Sequence, residues 1–158
     1  MYRTANRKYR GFSLLELVIV VVIIGIIAAI AIPRMSRGSA GAADAALSGN
    51  LAVLRNAIDM FAAEHGGTYP KTADIEKQLT QYTDVQGNVQ AKRDTTHIYG
   101  PYLRKIPPLP VGENKNNTGI AASDGNGVGW IYTESSGDIR ANCTDKEKDA
   151  TGKAYNTY

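Results

Sequence analysis

The chain has 158 residues, 43% of them hydrophobic and 21% charged, which is enough for one ordinary small domain and too short for a multidomain enzyme. Four of its 18 lysines and arginines (Arg3, Arg7, Lys8 and Arg10) crowd into the first ten residues; without them 14 bases would face 15 acids and the net charge would fall from +3 to −1. No basic stripe is left downstream to neutralise phosphates, so charge gives no support to nucleic-acid binding.

The basic head runs into a 21-residue apolar stretch, Phe12 to Ile32, broken only by Ser13, Glu16 and Gly25. As a helix it would span about 32 Å, matching a hydrocarbon core of about 30 Å. Four bases precede the run and only Arg34 and Arg37 follow it closely, a bias that places the N terminus in the cytoplasm and the rest of the chain outside it. A secretory signal peptide is the competing reading, because Ala29-Ile30-Ala31 has the small-x-small pattern of a cleavage site. Against it, the run is longer than the usual apolar region of about 7 to 15 residues and holds a carboxylate, Glu16. An acidic side chain at membrane depth costs about 2.5 to 3.5 kcal/mol or more unless paired. Taken alone, Glu16 reads either as a side chain reaching back to the headgroups or as a group kept for a function.

The string Gly11-Phe12-Ser13-Leu14-Leu15-Glu16-Leu17, followed by Val18 to Ile24, Gly25, Ala28 to Ile32 and Pro33, resembles the type IV pilin and pseudopilin class. The resemblance implies that a basic leader, residues 1–11, is removed by a prepilin peptidase between Gly11 and Phe12, and that the new terminus at Phe12 is N-methylated. It also implies that Glu16 pairs with the Phe12 amine of a neighbouring subunit during assembly, and that Pro33 perturbs the helix. An ammonium is a natural partner for a carboxylate otherwise stranded in lipid.

Residues 12–33 are thus expected as the membrane-spanning, filament-core half of a helix, and 34–66 as its amphipathic half. In the latter, Leu47, Leu51, Leu54, Ile58 and Phe61 recur at spacings of 4, 3, 4 and 3, one apolar stripe facing a partner. Pro33, Gly38 and Gly41 weaken the helix between the halves, as a permanent kink or as a segment that unwinds on assembly. Gly66-Gly67 supplies a left-handed cap after His65, with Pro70 beyond as a stop. A continuous helix from Phe12 to His65, 54 residues, would be about 80 Å long.

Residues 67–158 read as a small α+β head, so the expected fold is α+β and pilin-like: a long N-terminal helix packed on a C-terminal antiparallel sheet. Ala73 to Tyr82 is expected as a short helix with Asp74 near its start, and Asp84 to Asn88 as a turn. Val128 to Thr133 and Asp138 to Ala141 read as a hairpin joined by Glu134-Ser135-Ser136-Gly137. Either Trp130 and Tyr132, or Ile131 and Ile139, cover the helix stripe. The polar tail from Thr144 to Tyr158 is a flexible arm or an unpaired edge, and Tyr155 and Tyr158 are equally compatible with exposure and packing.

Within the class, Gly67-Thr68-Tyr69-Pro70 and Gly100-Pro101-Tyr102-Leu103-Arg104-Lys105-Ile106-Pro107 resemble the major pseudopilins of type II secretion, whereas Pro108-Leu109-Pro110 departs from that group, lacking its acidic residue followed by Pro and Trp. Members of the group commonly hold calcium in a C-terminal loop, and those ligands do not map here residue by residue. Two oxygen-rich stretches, around Asp124 and Asn126 and around Asp145 and Asp149, are calcium candidates. Neither meets the EF-hand pattern, and solvated loop is the better reading of both. The single cysteine, Cys143, permits no intramolecular disulfide, including the C-terminal loop closure many type IV pilins have in common, and reads as a small, partly buried residue beside a strand. The two histidines, His65 at the helix end and His97 in a loop, are linked to no nucleophile motif, and no phosphate-cradling loop follows a strand.

The expected function is therefore structural rather than enzymatic: a type II secretion pseudopilin, polymerised with other copies and other pseudopilins by an inner-membrane assembly platform into a periplasmic or extracellular filament. A type IV pilus subunit for adhesion, motility or DNA uptake is the alternative, as is a single-pass membrane-anchored binding module.

Overall fold

A computed structural model describes residues 12–158, the side chains of 32–40 excepted. Helix α1 is Leu14–Glu64, 51 residues, and contacts divide the chain into two units, Met1–Ser39 and Ala40–Tyr158.

In the first unit the apolar run folds as the expected helix. Every large apolar side chain from Leu14 to Ile30 is between 45% and 80% exposed, so the protein covers no face of this stretch. Leu14–Ala31 is long and apolar enough to cross a membrane. The basic leader and Gly11 lie outside the described residues, as does the Pro33 side chain; the helical assignment runs through that position.

The second unit is built on the amphipathic part of α1. The predicted stripe is the core: Leu47, Leu51, Leu54, Ile58 and Phe61 are each 2% exposed or less, and burying side chains of this size contributes about 1.5 to 3 kcal/mol apiece. The helix ends as its glycines require. Gly66 and Gly67 both have positive φ, at 66° and 86°, and the Gly67 N–H returns to the Ala62 carbonyl at 2.7 Å, the longer bond of a Schellman-type cap.

Beyond it come α2 (Ile75–Thr80), β1 (Tyr82–Thr83), β2 (Val89–Gln90), β3 (Gly119–Ala121), β4 (Val128–Thr133), β5 (Asp138–Ala141) and a 3-10 turn at Tyr155–Thr157. Strands β1 and β2 form a small antiparallel pair, while β3, β4 and β5 form a three-stranded sheet in that order. The hairpin β4–β5 has the predicted bounds, and its register pairs Trp130 with Ala141 and Tyr132 with Ile139. These four side chains join the helix stripe in one core cluster. The first of the two expected faces is thus the inner one, with Ile139 added to it, and Ile131 pairs with Arg140 across the strands.

Three expectations change. The sheet is mixed, because β3 lies parallel to β4 although only residues 122–127 join them, where a parallel connection ordinarily takes a dozen residues or more. The close approach there depends on glycine: a Cβ on Gly119 would sit 2.7 Å from the Gly127 carbonyl oxygen. Helix α2 is shorter than Ala73 to Tyr82, because Gln81 is extended and Tyr82 is drawn into pairing with Gln90; Asp74 stands at its N-cap without a side-chain cap bond. The tail is folded onto the domain. Tyr155 donates its hydroxyl to Asp44 at 2.9 Å, and Arg55 Nη2 donates to the Tyr158 main-chain oxygen at 2.6 Å.

The irregular stretch between β2 and β3 is anchored by the core it covers. Leu109 is fully buried, Asn50 of α1 donates to the Pro108 carbonyl at 2.9 Å, and Trp130 Nε1 donates to the Pro107 carbonyl at 2.8 Å.

Candidate functional site

The site residues singled out by sequence fall into two groups, and the structure treats them differently. At the start of α1, Phe12 is 79% exposed and immediately precedes Ser13, the residue before the first helical position. Ser13 accepts the first helical hydrogen bond, from the Leu17 N–H, at 3.1 Å. Its Oγ accepts the Glu16 N–H at 3.1 Å, and Glu16 Oε2 accepts the Ser13 N–H at 3.3 Å. This reciprocal pair is a capping box, which closes two of the N–H groups that a helix start leaves open. An S-x-x-E spacing ahead of an apolar run signals it in sequence, so Ser13 is a functional residue that reading the string for its glutamate alone missed.

Glu16 therefore sits in the first turn of a membrane-length helix, solvent-facing in the isolated chain and already accepting one local donor. The helix N-terminus favours a negative charge at this place. The cleavage position, Gly11 to Phe12, straddles the edge of the described residues, with Gly11 outside them.

The calcium candidates do not converge. Asp124 Oδ1 accepts from Asn142 Nδ2 at 2.7 Å and from the Gly125 N–H at 2.8 Å, and Asn126 stands exposed in the turn before β4. Asp145 accepts from Asn156 Nδ2 at 2.7 Å. Asp149 is engaged by the Tyr158 hydroxyl, by Thr151 and by the Lys153 N–H. Those donors, Tyr158 first, hold the Asp149 carboxyl well below the usual range. Of the four candidates only Asp124 borders the cavity of about 280 Å³ formed with Ser123, Arg140, Asn142, Cys143 and Asn156. Among the described residues, no three His, Cys, Asp or Glu side chains gather as a metal-binding group.

The remaining titratable groups serve the fold. His65 is at the helix end and buried, its ring stacked on Phe61 with centroids 3.8 Å apart. Its Nδ1 lies 2.7 Å from the Phe61 carbonyl and its Nε2 2.9 Å from that of Asp84, which ties the end of α1 to the turn after β1. His97 lies in a loop, 3.0 Å from Asp94. Cys143 is half-buried just beyond β5, and burial, with Glu147 nearby, pushes its thiol up to about 11.

Residues 6–32 match the family described as the prokaryotic N-terminal methylation motif. No curated protein and no solved structure matches the chain. The match covers the start of α1 and the apolar run together, and it supports a type IV pilin-like subunit processed by a prepilin peptidase, without distinguishing pilin from pseudopilin.

Proposed function

We propose that this chain is a type II secretion pseudopilin: a structural subunit held in the inner membrane by a single span, cut between Gly11 and Phe12, methylated on Phe12 and polymerised with other copies from an assembly platform. The observation that carries the reading is a carboxylate, Glu16, in the first turn of an uncovered membrane-length helix, within the segment that matches the methylation motif. Cleavage before Phe12 creates an α-ammonium four residues ahead of that carboxylate. Pairing between the two, from one subunit to the next, fixes the stagger of neighbouring helices and removes a charge from hydrocarbon.

Packing such helices side by side buries the apolar surface that lipid covered before, so protein replaces lipid as filament grows. The subunit then acts mechanically, with its head outside the cytoplasm and its displacement doing the moving. The segments Gly67-Thr68-Tyr69-Pro70 and Gly100 to Pro107 favour the secretion branch. The departure at Pro108-Leu109-Pro110 favours the competing pilus branch, and the location of the filament separates them: periplasmic for secretion, cell surface for adhesion, motility or DNA uptake.

Intact mass and N-terminal sequencing of the protein from its native membrane test the core of the reading. A start at Phe12, one methyl group heavier than the bare sequence, is expected. A start at Ile32 means a secreted soluble protein and an intact Met1 a plain membrane anchor, and either result overturns the filament reading. In the same material, a Glu16→Ala chain incorporated into filaments as well as wild type would remove the role given to the carboxylate.

A further inference from the structure

The first N–H groups of a helix have no intrahelical acceptor, and hydrocarbon offers none. In α1 the Ser13 hydroxyl and the Glu16 carboxylate close two of these donors reciprocally, at 3.1 and 3.3 Å. The carboxylate is thereby folded back over its own first turn, onto the N–H that directly follows Phe12. Around it the large apolar side chains of the run are all open, so this local donor is the partner the described residues provide.

We propose that Ser13 is a positioning residue for assembly: it keeps the Glu16 carboxylate in the cap while the subunit stands alone in the bilayer, and the carboxylate passes from the cap to the Phe12 α-amine of a neighbouring copy as the subunit is incorporated. The proposal rests on the filament reading given above. The exchange spares the chain a naked charge on either side of the step. Before it, the carboxylate has a backbone donor and the positive end of the helix dipole. After it, an ammonium supplies a charge-assisted hydrogen bond, which is stronger than one to a neutral N–H and draws the exchange toward the filament. Every bond exchanged is a hydrogen bond, so no covalent chemistry is involved.

The test compares four forms of the processed full chain in phosphatidylcholine vesicles: wild type, Ser13→Ala, Ser13→Thr and Glu16→Gln. Amide hydrogen exchange at Ser13 and Glu16 reads the cap, and incorporation into filaments reads assembly. Ser13→Ala is expected to speed exchange at Glu16 about fivefold, the effect of one lost cap, and to lower incorporation, with Ser13→Thr restoring both. Glu16→Gln, which still closes a capping box, is expected to keep slow exchange and lose incorporation. Unchanged exchange in Ser13→Ala would overturn the cap, and faster exchange with full incorporation would leave Ser13 a merely structural role. If wild type itself forms no filament, the filament reading fails and the transfer step with it, while the exchange rates still decide whether the cap exists.

Discussion

Glu16 and Asp84 are both carboxylates held by backbone N–H groups, in opposite surroundings. Glu16 stands at an uncovered helix start, whereas Asp84 is 7% exposed in the turn between β1 and β2. Burial by itself would raise the Asp84 carboxyl; the Asn88 side chain and the Asn88 and Gln86 N–H groups, each within 2.9 Å, more than offset it and hold the group below its ordinary value of 3.8. A carboxylate depressed in the folded state stabilises the fold fully above the unfolded value and loses that contribution as pH falls through the folded one. The melting temperature should therefore fall as pH drops below about 4, and Asp84→Asn should flatten that dependence in a series of melts between pH 2 and 7. Calcium is expected to leave the melting temperature of the full chain in detergent unchanged, because Asp124, Asp145 and Asp149 are already engaged by Asn142, Asn156 and Tyr158. A rise with excess calcium would point to a site. At this scale the sequence was legible where partners are near in the chain, as in Ser13 with Glu16 or Asp84 with Asn88. It was silent where they are distant, as in Asp44 with Tyr155.

Elements were legible in proportion to their periodicity. The 4, 3, 4, 3 spacing of the α1 stripe located five core residues correctly because a single buried face leaves a period that needs no partner to be read. Leu54 is fully buried within that stripe, so Leu54→Ala should destabilise the domain by about 2 to 5 kcal/mol, measured by urea unfolding. The β4–β5 hairpin was legible for a similar reason, its alternation ending at a turn-forming tetrad. Helix α2 was read too long because Tyr82 carries no local sign of the pairing with Gln90 that claims it. Strand β3 was not read at all: three residues pairing in parallel across a short connection carry neither a period nor a hairpin signal.

For the whole molecule, the buried core lies beyond residue 40, from Leu47 of α1 to Ala141 of β5, and the membrane-length stretch contributes nothing to it. A fragment of residues 40–158 should accordingly be water-soluble and melt cooperatively, checked by circular dichroism and calorimetry; a gradual, non-cooperative melt would mean that the N-terminal unit is needed for folding. What the sequence determined by itself was whatever depends on composition along one continuous stretch: a span long enough for lipid, a carboxylate placed within it, a leader rich in bases, and the period of an amphipathic helix. These are properties of neighbours in the chain, so a one-dimensional reading recovers them. Tertiary structure decided which face of the hairpin is inner, that β3 joins the sheet in parallel, and that the tail from Thr144 onward is bound rather than free. Each of those depends on groups far apart in the chain meeting in space, as Arg55 meets Tyr158 and Trp130 meets Pro107, and the free energy of such meetings comes from joint burial and donor satisfaction that no local pattern records.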